Sequence, residues 1–265
     1  MFVPKAYAIG MILLGTLAAP AFSAAAGGGF IGLGVGATPD YEGSEDYEAV
    51  PALFGRYAWE SGRYIDLAGA PSTGSAARLS ANLLPGNSGT SWQLGPLLQY
   101  RMERDDVDNS KVDKMKKVDG TVEAGAFVGF TSGAWEAELS FAADADSNHD
   151  GYLVYLSGAY NMEVNDKLKL KFGARTSYAD DDYMDTYFGV SGADATRSSL
   201  SRYSADGGMK DWGLSLTANY SINKTWGLIG SLSYSRLLGD AEDSPVVDQG
   251  DENQYGALLA VTYSF

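Results

Sequence analysis

From Phe30 onward, apolar residues alternate with polar or small ones along stretches of 8–13 residues, each closed by a turn signal. Successive side chains on a strand point to opposite faces, so this pattern describes strands with one apolar face. Ile31, Leu33, Val35 and Ala37 alternate with Gly32, Gly34 and Gly36. Trp92, Leu94, Leu98 and Tyr100 alternate with Gln93, Gln99 and Arg101, and Val122, Ala124, Ala126, Val128 and Phe130 oppose Glu123, Gly125 and Gly129. Trp212, Leu214, Leu216, Ala218 and Tyr220 oppose Ser215, Thr217 and Asn219. Counting such stretches predicts twelve strands, at approximately 30–37, 48–59, 63–70, 75–83, 91–103, 118–130, 135–143, 151–163, 168–178, 209–222, 225–238 and 254–265. The segment 63–70 fits the pattern least well because Asp66 lies inside it. Tyr183 to Val190 also has some β character and is assigned to a long loop at 179–208.

A soluble sandwich and a transmembrane barrel both use strands of this kind. Three features favour an antiparallel transmembrane β-barrel. Aromatic residues such as Trp59, Trp92, Trp135, Tyr160, Trp226 and Tyr234 fall at strand ends, where interfacial girdles belong. Tight turns at Ser61-Gly62, Ser132-Gly133, Asn165-Asp166 and Asn223-Lys224 alternate with longer polar loops near 38–47, 104–117, 144–150, 179–208 and 239–253. Short periplasmic turns and longer extracellular loops are the outer-membrane arrangement. The chain also finishes on a strand, with Tyr255, Ala257, Leu259, Val261, Tyr263 and Phe265 on one face. In outer-membrane proteins as a class, a terminal aromatic is read by the barrel-insertion machinery. Tyr263 and Phe265 are the expected insertion signal here.

The N-terminus carries an address. Lys5 precedes an apolar run from Ala6 to Ala19, and small residues follow at 20–25, the three-part pattern of a secretory signal peptide. Residues 1–23 are assigned to it, with cleavage between 23 and 26, and residues 24–265 to the barrel. An exported barrel lies in the bacterial outer membrane, in contact with its lipid and lipopolysaccharide.

Charge and composition remove other classes. Net charge −15 over 265 residues argues against a nucleic-acid partner. The absence of cysteine excludes a disulfide framework and thiolate chemistry, and no cofactor is expected. The single histidine, His149, would have to serve in any Ser-His-Asp arrangement. Its setting, Asp144 to Gly151, reads as a solvated acidic loop, so no enzymatic activity and no catalytic residue is expected. Within that loop, Asp146, Asn148, Asp150 and Gly151 match half of a calcium loop. The twelfth position is Ser157 rather than the required glutamate, and the competing reading is a polar loop of turn formers. Segments 38–48, 144–150, 179–208 and 239–253 hold 20 of the 34 acidic residues and are expected to remain solvated.

Two loops carry a family resemblance: Pro39-Asp40-Tyr41-Glu42-Gly43-Ser44 after the first strand, and Gly239-Asp240-Ala241-Glu242-Asp243-Ser244-Pro245 before the last. With Tyr187-Phe188-Gly189-Val190-Ser191 and the run from Tyr203 to Asp211, they resemble the MipA/OmpV family of outer-membrane proteins. The resemblance implies a non-enzymatic barrel acting as a scaffold for a periplasmic murein transglycosylase (a hydrolase) and a murein synthase. The two loops are expected to fold into a defined shape over the barrel mouth, with a ligand or partner site there as the alternative.

A small-solute or ion pore is the other reading. The expected lumen residues include Arg56, Arg78, Arg101, Lys169, Lys171 and Arg175 beside Glu123, Glu136 and Glu138. Such charges either pair across the lumen or line an aqueous channel. The 179–208 loop is long enough to fold inward, whereas the short turns offer a periplasmic partner little to hold.

Overall fold

The structure, a computed structural model, describes residues 27–70, 75–86 and 90–265. The expected signal peptide lies outside them. Twelve antiparallel strands close into a barrel in sequence order: β1 (Gly28–Pro39), β2 (Tyr47–Ala58), β3 (Tyr64–Ala70), β4 (Ser75–Asn82), β5 (Thr90–Arg101), β6 (Thr121–Ser132), β7 (Trp135–Asp144), β8 (Tyr152–Glu163), β9 (Leu168–Ala179), β10 (Gly208–Ser221), β11 (Trp226–Leu237) and β12 (Asn253–Ser264). β1 pairs with β12 from Phe30–Ser264 to Ala37–Ala257, which removes the sheet edge. Each of the twelve expected strands is present, with ends shifted by up to three residues. The largest shifts flank the 102–120 loop, where an isolated bridge between Arg104 and Val118 prolongs the strand pattern beyond the ladder.

The alternation places side chains as read. Ile31, Leu33, Trp92, Leu94, Leu139, Leu214, Leu216 and Leu259 are exposed on the outer wall. Outward aromatics form two belts. At the short-turn end, Tyr57 meets Trp59, Trp92 meets Phe130, Trp135 meets Tyr160 and Trp226 meets Tyr263, with ring centroids 4.8–5.2 Å apart. At the long-loop end, Phe141 meets Tyr152, and Tyr234 meets both Trp212 and Tyr255. Among the described residues no helix is long and apolar enough to cross a membrane.

The inner face is less uniform than a polar lumen. Phe30, Phe54, Ala52, Ile229, Leu258 and Ala260 point inward and pack together. This is possible because Gly32 faces inward: a Cβ there would lie 2.2 Å from the Phe54 ring. Leu97, Phe127 and Ala142 form a second inner cluster. The β2–β3 seam is short, pairing Gly55–Leu67 to Ala58–Tyr64. Trp59 N–H bonds Arg63 O across that seam, so the odd-numbered residues of β2 turn their backbone groups toward β3. Pro51, which has no N–H to leave unpaired, lies on that side beyond the paired stretch.

The 179–208 loop corrects one expectation. Its β character is confined to the bridge Val190–Tyr203, and the rest is built on two helices, α1 (Asp181–Phe188) and α2 (Gly192–Ser198). Asp180 caps α1 by accepting from the Tyr183 amide, and Asp181 and Asp182 sit at the positive end of its dipole. Ser191 caps α2 by accepting from the Asp194 amide, and its hydroxyl donates back to Asp194 Oδ2 at 2.6 Å.

The wall geometry sets a test on adjacent residues of β10. Leu216 is 39% exposed on the outer face, and Ser215 points inward. An arginine facing lipid near the midplane costs about 2–4 kcal/mol. Leu216→Arg should therefore destabilise the folded barrel more than Ser215→Arg by at least about 1 kcal/mol, a margin taken from the same depth-dependent cost. Unfolding in lipid vesicles measures the difference, and the opposite order would mean that the wall is inverted.

Candidate functional site

The charged residues expected in the lumen are paired. Arg56 meets Asp66 at 2.6 Å, Arg78 meets Glu138 at 2.8 Å and Lys171 meets Glu136 at 2.7 Å. Asp66, which disturbed the β3 pattern, is thus the partner that Arg56 requires. Arg78 on β4 reaches β7 and Lys171 on β9 also reaches β7, so these pairs bridge two intervening strands and one, respectively, along the inner wall. Lys169 pairs with the exposed Glu163 at the short-turn rim.

A second group closes the long-loop end. Arg101 is 1% exposed, and its Nε lies 2.5 Å from Glu123 Oε1. Its Nη1 donates to the Tyr183 hydroxyl at 2.8 Å, and Nη2 donates to that of Tyr155 at 2.9 Å. Gln99 donates to both Glu123 and Tyr155. The Tyr183 hydroxyl donates in turn to Glu42 Oε2 at 2.7 Å, and Lys210 Nζ donates to Glu42 Oε1 at 2.6 Å. Lys210 also lies 2.7 Å from Asp211, which pairs with Arg175 at 3.0 Å. Three cations, Arg101, Lys210 and Arg175, thus face three carboxylates, Glu42, Glu123 and Asp211. Burial, only partly offset by Arg101, holds the Tyr183 phenol well above its ordinary pKa, so it remains a donor.

His149 belongs to this group and is not a solvated loop residue: it is 3% exposed. The Gly151 amide donates to Nδ1 at 3.0 Å, which assigns the ring proton to Nε2, 3.1 Å from Glu123. The ring stands edge-on to Tyr183 and Tyr187, with centroids at 5.2 and 5.8 Å. With Glu123 on one nitrogen and an amide on the other, His149 braces Glu123 and has no nucleophile in its hydrogen-bond set.

The half calcium motif is used for folding the loop. Asp146 accepts from the Thr121 hydroxyl and the Val122 amide, and Asn148 donates to the Gly120 carbonyl. The Asp150 amide and that of His149 both donate to Asp144 Oδ2. Among the described residues, no group of three or more His, Cys, Asp or Glu side chains converges as a metal-binding set. The acidic loops are likewise organised by their carboxylates: Asp40 accepts from the Asp108 amide, Asp181 from Gly207 and Asp240 from Asp206.

The two family loops interlock over the mouth. Pro39 ends β1, and Gly43 turns the chain at φ +95°, where a Cβ would lie 2.6 Å from Val247. Gly43 N donates to Gln254 Oε1, and its carbonyl accepts from the Asp251 amide. Gln254 Nε2 also reaches the Ser44 carbonyl. In the other loop, Gly239 turns at φ +53° and Asp243 N bonds back to its carbonyl. Ala241 is fully buried against α1, Pro245 is half-buried and Ser244 Oγ donates to the Phe188 carbonyl at 2.5 Å. Tyr41 packs with Val107, Val190, Leu200 and Val246. The loops thus clamp the α1–α2 segment inside the mouth.

Sequence reasoning missed Tyr183, Lys210 and the burial of His149. One signal was present: Tyr183, Met184, Tyr187 and Phe188 recur at helical spacing behind the capping run Asp180–Asp182. Lys210 carried none, since its partners Glu42 and Asp211 include a residue 168 positions away.

Two outcomes follow. Tyr183→Phe deletes a hydroxyl bridging two charged groups, worth about 1.5–3 kcal/mol each by the usual cost of such bonds. Protease cleavage within 179–208 should accelerate while the barrel itself stays folded; an unchanged cleavage rate would show that the bridge does not hold the cap. Asp194 gives a pH dependence. Burial raises its carboxyl, but the Ser191 hydroxyl, the Arg197 guanidinium and the Lys116 amide outweigh burial and hold it below the usual value. A group held low in the fold stabilises above its unfolded pKa, near ~4, and loses that contribution as pH falls through the folded value. Hydrogen exchange at α2 should therefore show equal protection at pH 7 and 5, weakening only below the carboxylate range, and Asp194→Asn should abolish the acid step.

Against known proteins, the model of a family described as "MltA-interacting protein MipA" matches residues 31–265. The outer membrane protein YiaT of Escherichia coli (strain K12) is 31% identical over 147 residues, 55% of this chain and 58% of that protein. The match therefore spans a little over half of that relative's length. The outer membrane protein OmpV of Vibrio cholerae is 28% identical, covering 66% of this chain and 67% of that protein. The MltA-interacting protein of Escherichia coli (strain K12) is 27% identical, with 48% and 49% covered. Among solved structures, the NanC porin superposes with a TM-score of 0.48 at 10% identity, covering 88% of this chain and 98% of that one. A closed twelve-strand barrel with two aromatic belts, and a family match across all twelve strands, establish that this outer-membrane protein belongs to the MipA family.

Proposed function

We propose that this chain is a non-enzymatic scaffold of the outer membrane, closed to solutes, that gathers periplasmic murein hydrolase and synthase activities. The observation that carries the closed state is the balanced, buried charge group around Arg101 and Tyr183. It fills the mouth with paired side chains. α1 joins this group through the Tyr183 hydroxyl, whose hydrogen bonds to the charged Arg101 and Glu42 are worth about 1.5–3 kcal/mol each by the usual value of such bonds. The scaffold role is supported by family membership and by the name of one relative, the MltA-interacting protein. A non-enzymatic role is supported by the use of both His149 nitrogens in bracing the mouth.

In this reading the short-turn end faces the periplasm, with Tyr263 and Phe265 as the insertion signal beside it. That end offers more than short turns. A recess of about 810 Å³ is lined by Tyr57, Trp59, Glu60, Arg63, Tyr64 and Leu83 among others, and would give a partner apolar and charged contacts together. Lipid and lipopolysaccharide would surround the wall and the outer rim.

The pore is retained as a second reading on one observation: α1 is a discrete element inside the mouth, so its withdrawal would uncover the lumen. Conductance and capture separate the two. The reconstituted barrel should show no steady single-channel current, whereas removal of 181–205 should produce one. Crosslinked envelopes should yield murein enzymes bound to the intact chain. Steady ion-selective current through the unaltered barrel, without captured murein enzymes, would replace the scaffold by the pore.

A further inference from the structure

The mouth balances three cations against three carboxylates and leaves one buried cation out. Arg104, beyond the end of β5, is 7% exposed. Its Nη1 donates to the Tyr187 carbonyl at 2.6 Å, near the C-terminal end of α1. Its Nε has no hydrogen-bond partner, and among the described residues no carboxylate forms a salt bridge with it. Asp194, the carboxylate that most affects it electrostatically, is engaged by the Ser191 hydroxyl, Arg197 and the Lys116 amide.

Two phenols share the condition. The hydroxyls of Tyr41 and Tyr187 are buried without a hydrogen-bond partner, and both sense the charge of Arg104. Tyr41 lies near Ser44, but that hydroxyl gives its proton to the Phe188 carbonyl and accepts from the Asp46 and Val246 amides. The surroundings of Tyr41 are apolar, Val107, Val112, Met115, Val190, Leu200 and Val246, whereas Tyr187 packs with Tyr183, Met184 and Phe188 and also senses Arg101, Glu123 and Glu42.

The three groups have one chemistry in common. A guanidinium only donates. Burial pushes the Tyr41 phenol up to about 12 and that of Tyr187 higher, so both keep their protons at neutral pH. Burial also lowers Arg104 from its ordinary value, because its neighbours do not repay the lost hydration. A buried cation without a counter-charge is costly, and water would satisfy its N–H groups without neutralising it. We infer that Arg104 Nε and the hydroxyls of Tyr41 and Tyr187 form a binding site for a small oxyanion, a carboxylate or a phosphate group, beneath the loop cap.

The test uses the full-length folded barrel in lipid vesicles, with acetate or inorganic phosphate replacing chloride at constant ionic strength. A ligand that binds only the folded state raises the unfolding midpoint, by about 2–4 °C once it exceeds its dissociation constant several-fold. The expected result is a saturable rise with at least one of the two anions. Acetate alone would identify a carboxylate site, and phosphate alone a phosphate site. The rise should vanish in Arg104→Gln and move to higher anion concentration in Tyr187→Phe. Tyr187→Phe removes a hydroxyl with no other partner and serves as the test if Arg104→Gln does not fold. No saturable rise with either anion, or an identical rise in Tyr187→Phe and any folded Arg104 variant, would overturn the site.

Discussion

A chain that crosses lipid with strands must leave no backbone donor or acceptor facing hydrocarbon, and everything else here follows from that demand. The β1–β12 ladder meets it by closing the sheet. Closure fixes an outside and an inside, so period-two alternation becomes a division between lipid and lumen. It also gathers the inward charges of the strands inside one closed ring. Under that confinement an unpaired charge is expensive, and the lumen cations of β2, β4, β5 and β9 each face a carboxylate.

The wall was legible in the sequence because its information is local. Alternation, terminal aromatics and tight turns each span fewer than about 15 residues, the window within which periodicity can be read. The strand count and the facing of Leu214, Leu216 and Ser215 came from that. The interior was legible only in part. Charge types at Arg56, Arg78, Lys171, Glu136 and Glu138 were readable, but the pairing of Arg78 and Lys171 depended on strands that are not adjacent in the barrel. Inward Phe30, Phe54 and Ile229 could not be recognised from alternation alone, since an apolar residue on the polar face looks like an imperfection until Gly32 is seen making room for it. The mouth was least legible. His149 sits among aspartates and looks solvated, yet Tyr183 and Tyr187 of α1, far along the chain, cover it.

Two kinds of polar interior therefore coexist. In the middle of the barrel, ion pairs join neighbouring and near-neighbouring strands along the inner wall. At the mouth, tyrosines and a histidine mediate between charges and connect the wall to loops that carry the family's sequence signature. Glu42 illustrates the difference. It is an acidic residue in an acidic loop by composition, and by position it is the acceptor that ties α1 and Lys210 to the β1–β2 turn. The anionic character of these loops serves internal architecture first, because so many of their carboxylates accept backbone amides.

The span of the mouth contacts along the chain has a consequence for the order of assembly. Tyr183 and Glu42 are 141 residues apart, Lys210 and Glu42 are 168, and Gly43 and Gln254 are 211. Neighbouring hairpins from β1 to β12 can zip in succession, each adding a short loop-closure cost. The cap contacts cannot form in that way, since they require the first and last strands to be side by side. Docking of α1 is therefore a late event that registers completion of the ring, and a barrel stalled with β1 and β12 apart would display its acidic loops and Tyr183 unengaged. The plug in the mouth doubles as a seal on a finished fold.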